Sequence, residues 1–429
     1  MRNIKQIISA VKIESWITGF VIVIIFFIPS CKKNVSSIAD TKFKVSHSSA
    51  NLNGFKAVHL SGGGYAVAAH DPRSNSKCHL LGFAEDGTKL WEQQFPDSIT
   101  MVDIAATNDN GVIICGYNNG NAIITQQTIY VKRFSASGNP DWANSFIADA
   151  VYYLCMAIAP DGSVFLNSCP GITGLHPCNF LYKLSSGGQL LSSTQATGMT
   201  PDSLLCFPLS MAFSGSNIIV TGALSYWADT NHTTVALSGP FGDFCFCMDT
   251  GANVKWFLHQ LDTFAVGQSL AIGNGGIIAD AGSSSPFLIS QSISGNFFLT
   301  SDRGNVFEDV QDNIMVRLFD PATGAMQVRQ IALPDAAQYP CIAATADGGY
   351  IIAATDNLSS FDNKILVAKT SNNLDVQWTK QFNIPNTTSP FGIFQAADNG
   401  YVIFAGTQSF GAHKDIAFIK TDPNGNIKQ

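Results

Sequence analysis

The chain has 429 residues, with 24 Lys and Arg against 31 Asp and Glu; a net charge of −7 with no basic cluster to offset it excludes a phosphate-backbone partner such as nucleic acid. Charged residues make up only 13% of the chain, about half the usual share, and the Gly, Ser, Thr and Asn that fill the gap suit turn-rich β structure better than helices. Ten cysteines are scattered along the sequence, too thinly for the framework of a disulfide-stapled domain.

Taken in chain order, residues 1–16 carry Arg2, Lys5 and Lys12, and residues 17–28 (ITGFVIVIIFFI) are apolar or small and uncharged. Twelve helical residues rise about 18 Å, short of the about 30 Å of a bilayer core, so the segment reads as an export signal and not a membrane span. Ile28-Pro29-Ser30-Cys31 follows directly. An aliphatic residue at −3 and a small one at −1 before a cysteine resemble the lipobox of bacterial lipoproteins. The resemblance implies cleavage before Cys31, lipid on that cysteine, and a protein tethered to the outer membrane. Pro29 departs from the usual pattern, and Lys32-Lys33 does not fix which side of the membrane the protein faces. Residues 31–40 are then the lipidated Cys and a polar tether.

From residue 41 onward the chain repeats itself. Residues 347–355 (DGGYIIAAT) and 398–407 (DNGYVIFAGT) share a phrase that recurs upstream at 62–69, 109–116, 161–168, 214–222 and 273–282. Each copy is a Gly, Asn or Asp turn leading into a β-branched apolar run, which is hairpin chemistry. A second phrase follows the first, as in 85–95 (EDGTKLWEQQF), 136–146, 250–260 and 372–382, and it places Trp91, Trp142, Trp256 and Trp378 at one repeat position. Units three and five replace the Trp phrase with 186–193 and 322–330. Each unit therefore predicts four strands, A to D, with strand B opening at Tyr65, Val112, Val164, Ile218, Ile277, Tyr350 and Tyr401. Four-stranded units spaced by about 50 residues, with no helical periodicity, predict an all-β propeller of about seven blades, eight being the alternative count. The last unit ends at 423–429 without a strand D, and residues 41–46 (TKFKVS) form a strand with nothing else to pair with. That strand is expected to complete the seventh blade and close the ring over residues 41–429.

The repeats resemble those of bacterial propeller lipoproteins whose units run D-G-G-Y-x-x-A-G and then D-x-x-G-N-x-x-W. The resemblance is clearest at Asp347-Gly348-Gly349-Tyr350, Asp398-Asn399-Gly400-Tyr401 and the four tryptophans, and it implies fold and envelope location more than activity. The four tryptophans are expected to pack neighbouring blades together. Quinone-dependent dehydrogenases carry similar repeats, but the adjacent cysteine pair common in that family is missing.

No catalytic constellation stands out, and neither a metal nor a cofactor is expected. Cys245 and Cys247 lie two apart on one strand face and read as core. Cys169 and Cys178 bracket a loop that a disulfide could close. His70, His176, His232 and His413 are assigned to the B–C connections, too weak an enrichment to make a metal site. The ligand-binding candidates come from the two longest of those connections, in adjacent units: Tyr226, Trp227 and His232 in unit four, and Phe297, Phe298, Asp302 and Arg303 in unit five. Trp227 lies outside the repeat position of the other four, and residues 293–300 (ISGNFFLT) predict an extra hairpin. The function expected is a membrane-anchored binding module for a glycan, peptide or protein. The alternatives are a periplasm-facing scaffold in outer-membrane assembly and an enzyme of unknown class.

Overall fold

The computed structural model describes residues 44–46, 52–71, 77–95, 99–118, 126–149, 151–170, 179–198, 204–226, 242–260, 266–272, 278–283, 288–291, 297–300, 314–331, 337–356, 364–383, 387–407 and 415–427. These are strands and tight turns. Among the described residues no helix is long and apolar enough to cross a membrane.

Strand β1 (Lys44–Ser46) comes first. Blade one is β2 (Asn53–His59), β3 (Tyr65–Asp71), β4 (Lys77–Phe83) and β5 (Lys89–Gln94). Blade two is β6 (Ile99–Ala106), β7 (Val112–Asn118), β8 (Gln126–Phe134) and β9 (Pro140–Asp149). Blade three is β10 (Val151–Ile158), β11 (Val164–Pro170), β12 (Phe180–Leu184) and β13 (Leu190–Gln195). Blade four is β14 (Leu204–Ser214), β15 (Asn217–Tyr226), β16 (Gly242–Met248) and β17 (Val254–Gln260). In blade five, β18 (Val266–Ile272) and β19 (Ile278–Ser283) are separated by a hairpin, β20 (Leu288–Gln291) and β21 (Phe297–Thr300), from β22 (Ile314–Phe319) and β23 (Met326–Ile331). Blade six is β24 (Ala337–Ala344), β25 (Tyr350–Asp356), β26 (Lys364–Thr370) and β27 (Val376–Asn383), and blade seven holds β28 (Thr387–Gln395), β29 (Tyr401–Thr407) and β30 (Asp415–Lys420). Every sheet is antiparallel and runs outward in chain order, except that the fourth strand of the last is β1, in the order β1-β30-β29-β28. Lys44, Val45 and Ser46 lie opposite Phe418, Ala417 and Ile416. The innermost strands β2, β6, β10, β14, β18, β24 and β28 touch in that order, and β28 returns to β2. The architecture is a β-propeller.

The local chemistry explains the hairpins. In most A–B and C–D turns an amide bonds back to a carbonyl three residues earlier, from a residue with positive φ; Gly162 to Ala159 and Gly138 to Ser135 are examples. This is the tight turn and bulge that a Gly or Asn in third place permits. Asn110 and Asn399 take that place in two A–B turns, and Ala252 and Leu374 in two C–D turns.

Each seam between blades is an apolar cluster built from both neighbours. Ile351, Ile365 and Val367 of blade six meet Ile393, Ile403 and Ile419 of blade seven. Tyr65, Val67 and Leu81 of blade one meet Val402, Phe404 and Phe418 of blade seven. Middle strands thus have neighbours on both faces, and for that reason β29 (YVIFAGT) is buried at every position. Burying one such Ile or Phe contributes about 1.5–3 kcal/mol.

Candidate functional site

The connections between strands divide by face. A–B and C–D turns lie on one side of the ring, and B–C connections, together with the links between blades, lie on the other. Five of the B–C connections run between strands that end and restart within ten residues, such as Asp71 to Lys77 in blade one. In blade four the gap is 227–241, and in blade five it is 284–313 and contains the β20–β21 hairpin.

Of the residues expected in these insertions, Tyr226 is instead the last residue of β15, opposite Leu204. Phe297 and Phe298 lie on β21, opposite Gln291 and Ser290. The extra hairpin is therefore present, but its first strand is 288–291, and residue 293 falls in the connection. Cys31, Trp227, His232, Asp302 and Arg303 lie outside the described residues, as do Cys178, His176 and His413. His70 is on strand β3 opposite Asn53, not in a loop, with its ring 6.1 Å from that of Phe55. Cys169, Cys245 and Cys247 are buried, and the last two pack with Ile219 and Phe319 in the seam between blades four and five. Burial pushes the Cys247 thiol up to about 11, so it stays protonated.

The repeated residues turn out to be structural. Trp91 donates its Nε1 hydrogen to Ala136 O at 2.7 Å, and Trp256 to Pro321 O at 3.2 Å, each in the C–D turn of the next blade. A Cβ on Gly188 would lie 2.4 Å from Trp142, and one on Gly425 2.8 Å from Trp378. Each Trp therefore covers the turn of the following blade. The Asp of the A–B turn pairs with a cation on strand C of its own blade: Asp109 with Arg133, Asp347 with Lys369 at 2.8 Å, and Asp398 with Lys420 at 3.5 Å. Lys369 is 3% exposed, and Asp347 also takes hydrogens from Thr345 Oγ1 and Gly349 N. Burial opposes ionisation of Asp347, yet Lys369 and these donors outweigh it and hold the carboxyl down at about 2.

Chemistry that escapes the repeat gathers in the central channel, a cavity of about 900 Å³ walled by the inner strands. Its titratable lining residues are Lys56, His59, Asp103 and Cys341. Lys56 of β2 ion-pairs with Asp103 of β6. Asp103 also accepts Ile104 N and Met156 N, both at 2.7 Å, so one carboxylate ties blades one, two and three together. Burial pulls the Lys56 ammonium down, but the Asp103 charge and hydrogen bond outweigh it and leave the group above its ordinary value. A permanently charged, fully engaged ammonium is no nucleophile. Burial, and after it the charge of Asp103, raises the neighbouring Cys115 and Cys155 thiols; burial lifts Cys341 to about 12.

At the short-turn mouth His59 Nε2 lies 2.9 Å from Glu85 Oε1. Glu85 also accepts Gly64 N at 2.9 Å and the Tyr65 hydroxyl at 3.0 Å. Burial alone would raise the Glu85 carboxyl, and these three donors together hold it below the usual range. Sequence reasoning missed Lys56, His59, Glu85 and Asp103. One signal was available: unit one reads Ser61-Gly62-Gly63-Gly64 where other units carry an Asp in the turn, and Glu85 supplies that carboxylate from across the blade.

No family model matches the chain, and no curated protein matches it. Among solved structures, a polysaccharide lyase, Uly1, is similar with a TM-score of 0.51 at 9% identity, over 90% of this chain and 94% of that one. A lignostilbene dioxygenase of Pseudomonas brassicacearum reaches 0.51 at 12% identity, also over 90% and 94%. An ulvan lyase of polysaccharide lyase family 25 reaches 0.50 at 9% identity, over 90% and 98%. At such identities the likeness is one of fold alone, and the fold is of the propeller type.

Proposed function

We propose that this protein is an envelope propeller, anchored through lipid on Cys31, that binds a glycan, peptide or protein partner on its B–C face. The observation that carries the reading is the unequal length of the connections. The A–B and C–D turns are pinned by backbone bonds and Asp–cation pairs. The B–C connections of blades four and five alone expand, side by side, and one contains an added hairpin. Insertions that gather on one side of a repeat ring mark its working face. Trp227 and Phe298 are assigned as its aromatic anchors, each worth about 2 kcal/mol or more in a buried contact. The enzymes among the structural neighbours share the fold and add nothing to this assignment. Partners recovered by pull-down with the parent protein are then tested against Trp227→Ala combined with Phe298→Ala. At least tenfold weaker binding at an unchanged melting temperature is expected, and full affinity in that variant would place the site elsewhere.

A further inference from the structure

From the channel mouth on the short-turn face we infer a second ligand site, for a neutral hydroxylated ring such as a sugar, with His59 as its hydrogen-bond acceptor. The site does not depend on the B–C face reading, since it opens on the opposite side of the ring, and either can fail alone.

The first observation is a local break in the repeat. His59 closes the inner strand of blade one at a place held by Ala106, Ile158 and Ala344 in blades two, three and six. Glu85 stands two residues before the positive-φ Gly87; Ala136, Ser186 and Asn372 occupy that place in blades two, three and six. A substitution pair found in one blade, at contact distance, facing a channel, is not explained by the packing that all blades share.

The second observation is the direction of the hydrogen bonds. Glu85 accepts from Gly64 N and from the Tyr65 hydroxyl, so it is held as a carboxylate, which has no hydrogen to give. The hydrogen between Glu85 and His59 therefore sits on Nε2, and the neutral imidazole carries its lone pair at Nδ1. Side chains of His59 and Glu85 are 35% and 34% exposed, open enough to be reached from the channel.

The third observation sets the class of ligand. The His59 ring lies 6.3 Å from that of Phe394, and half-buried Phe55 and Phe391 line the same channel. Exposed Asn108 adds an amide to the lining. The motif aspartates nearby are matched by cations, Asp398 by Lys420 and Asp109 by Arg133. With His59 neutral, the charge on Glu85 is unmatched, which disfavours an anion at this mouth. A lone-pair acceptor beside aromatic faces suits a ring with hydroxyl donors on its edge and C–H groups on its face.

The test is a long-range ¹H–¹⁵N NMR titration of the full mature protein, ¹⁵N-labelled at histidine. The probes are cellobiose, maltose and lactose, with sodium glucuronate and tetramethylammonium chloride as charged controls. Before any probe is added, His59 should report hydrogen on Nε2, and Glu85→Gln should shift that tautomer balance. At least one neutral disaccharide should move the His59 Nδ1 signal saturably. Loss of one hydrogen bond predicts about three- to tenfold weaker binding in Glu85→Gln. Binding should disappear in His59→Ala and be weakened in His59→Gln, a second variant that retains a polar group. No saturable shift with any neutral sugar, a shift confined to the charged controls, or equal affinity in His59→Ala would overturn the assignment.

Discussion

Gly138 sits at φ +80°, and a Cβ there would come within 2.5 Å of the Trp91 indole of the preceding blade. The position requires both the left-handed backbone and the missing side chain. Gly215 has φ +61° with nothing within 4 Å of a built Cβ, so it requires only the first. Gly138→Ala should therefore cost about 2–4 kcal/mol, strain plus clash, and Gly215→Ala only about 1–2. Thermal melts of the two variants rank them; equal melting temperatures would mean that the Trp does not hold the seam. Carboxylates make a second prediction. Asp347 and Glu92 are both held at about 2, Asp347 against the opposition of burial and Glu92 chiefly by the His79 hydrogen bond. A depressed folded-state value adds stability that is complete above the unfolded value of about 4 and is lost as pH falls toward 2. Melting temperature should thus fall between about pH 4 and pH 2. In Asp347→Asn the melting temperature at pH 7 should also drop, because Lys369 loses its partner. The cost there is about 1–2 kcal/mol, below that of a fully buried pair because Asp347 is half in water.

At the scale of elements, the A–B and C–D hairpins were legible because their chemistry is local. A Gly or Asn in the third turn position followed by a β-branched run specifies the hairpin wherever it occurs, and strand B opens at Tyr65, Val112, Val164, Tyr350 and Tyr401 as the repeat implies. The position that recurs with Trp likewise announced a seam residue. Legibility ended where the repeat is interrupted. Tyr226 prolongs β15 because Leu204 continues the ladder opposite it, a non-local pairing that no turn signal announces. The channel pair Lys56–Asp103 joins strands of different blades, and neither residue belongs to a motif, so only the closed ring brings them together. The short strand β1 makes a prediction of its own. Deleting residues 41–46 leaves the outer edge of β30 unpaired, and the melting temperature should fall by several degrees. Parental melting in the truncated chain would show that this pairing contributes nothing to the ring.

For the whole molecule, apolar seams join each blade to the next around the ring, including the seam between blades seven and one. Stability is thereby spread over the circle, and the connections on one face are free to vary. The envelope reading predicts that Cys31→Ser abolishes fatty-acid labelling and leaves the protein unprocessed or released from membranes. Labelling unchanged in that variant would remove the anchor. In intact cells, modification by a membrane-impermeant reagent would place the B–C face outside, and full protection would favour the periplasmic scaffold. The most direct test of the working face is to shorten it. Residues 284–313 of blade five are replaced by a tight turn joining β19 to β22, whose ladder from Ile278–Phe319 to Ser283–Ile314 is already in place. Melting temperature and partner affinity are then measured on the same preparation. The melting temperature should hold while affinity for the partner captured by the parent falls at least tenfold; undiminished affinity in a folded, shortened ring would contradict the account.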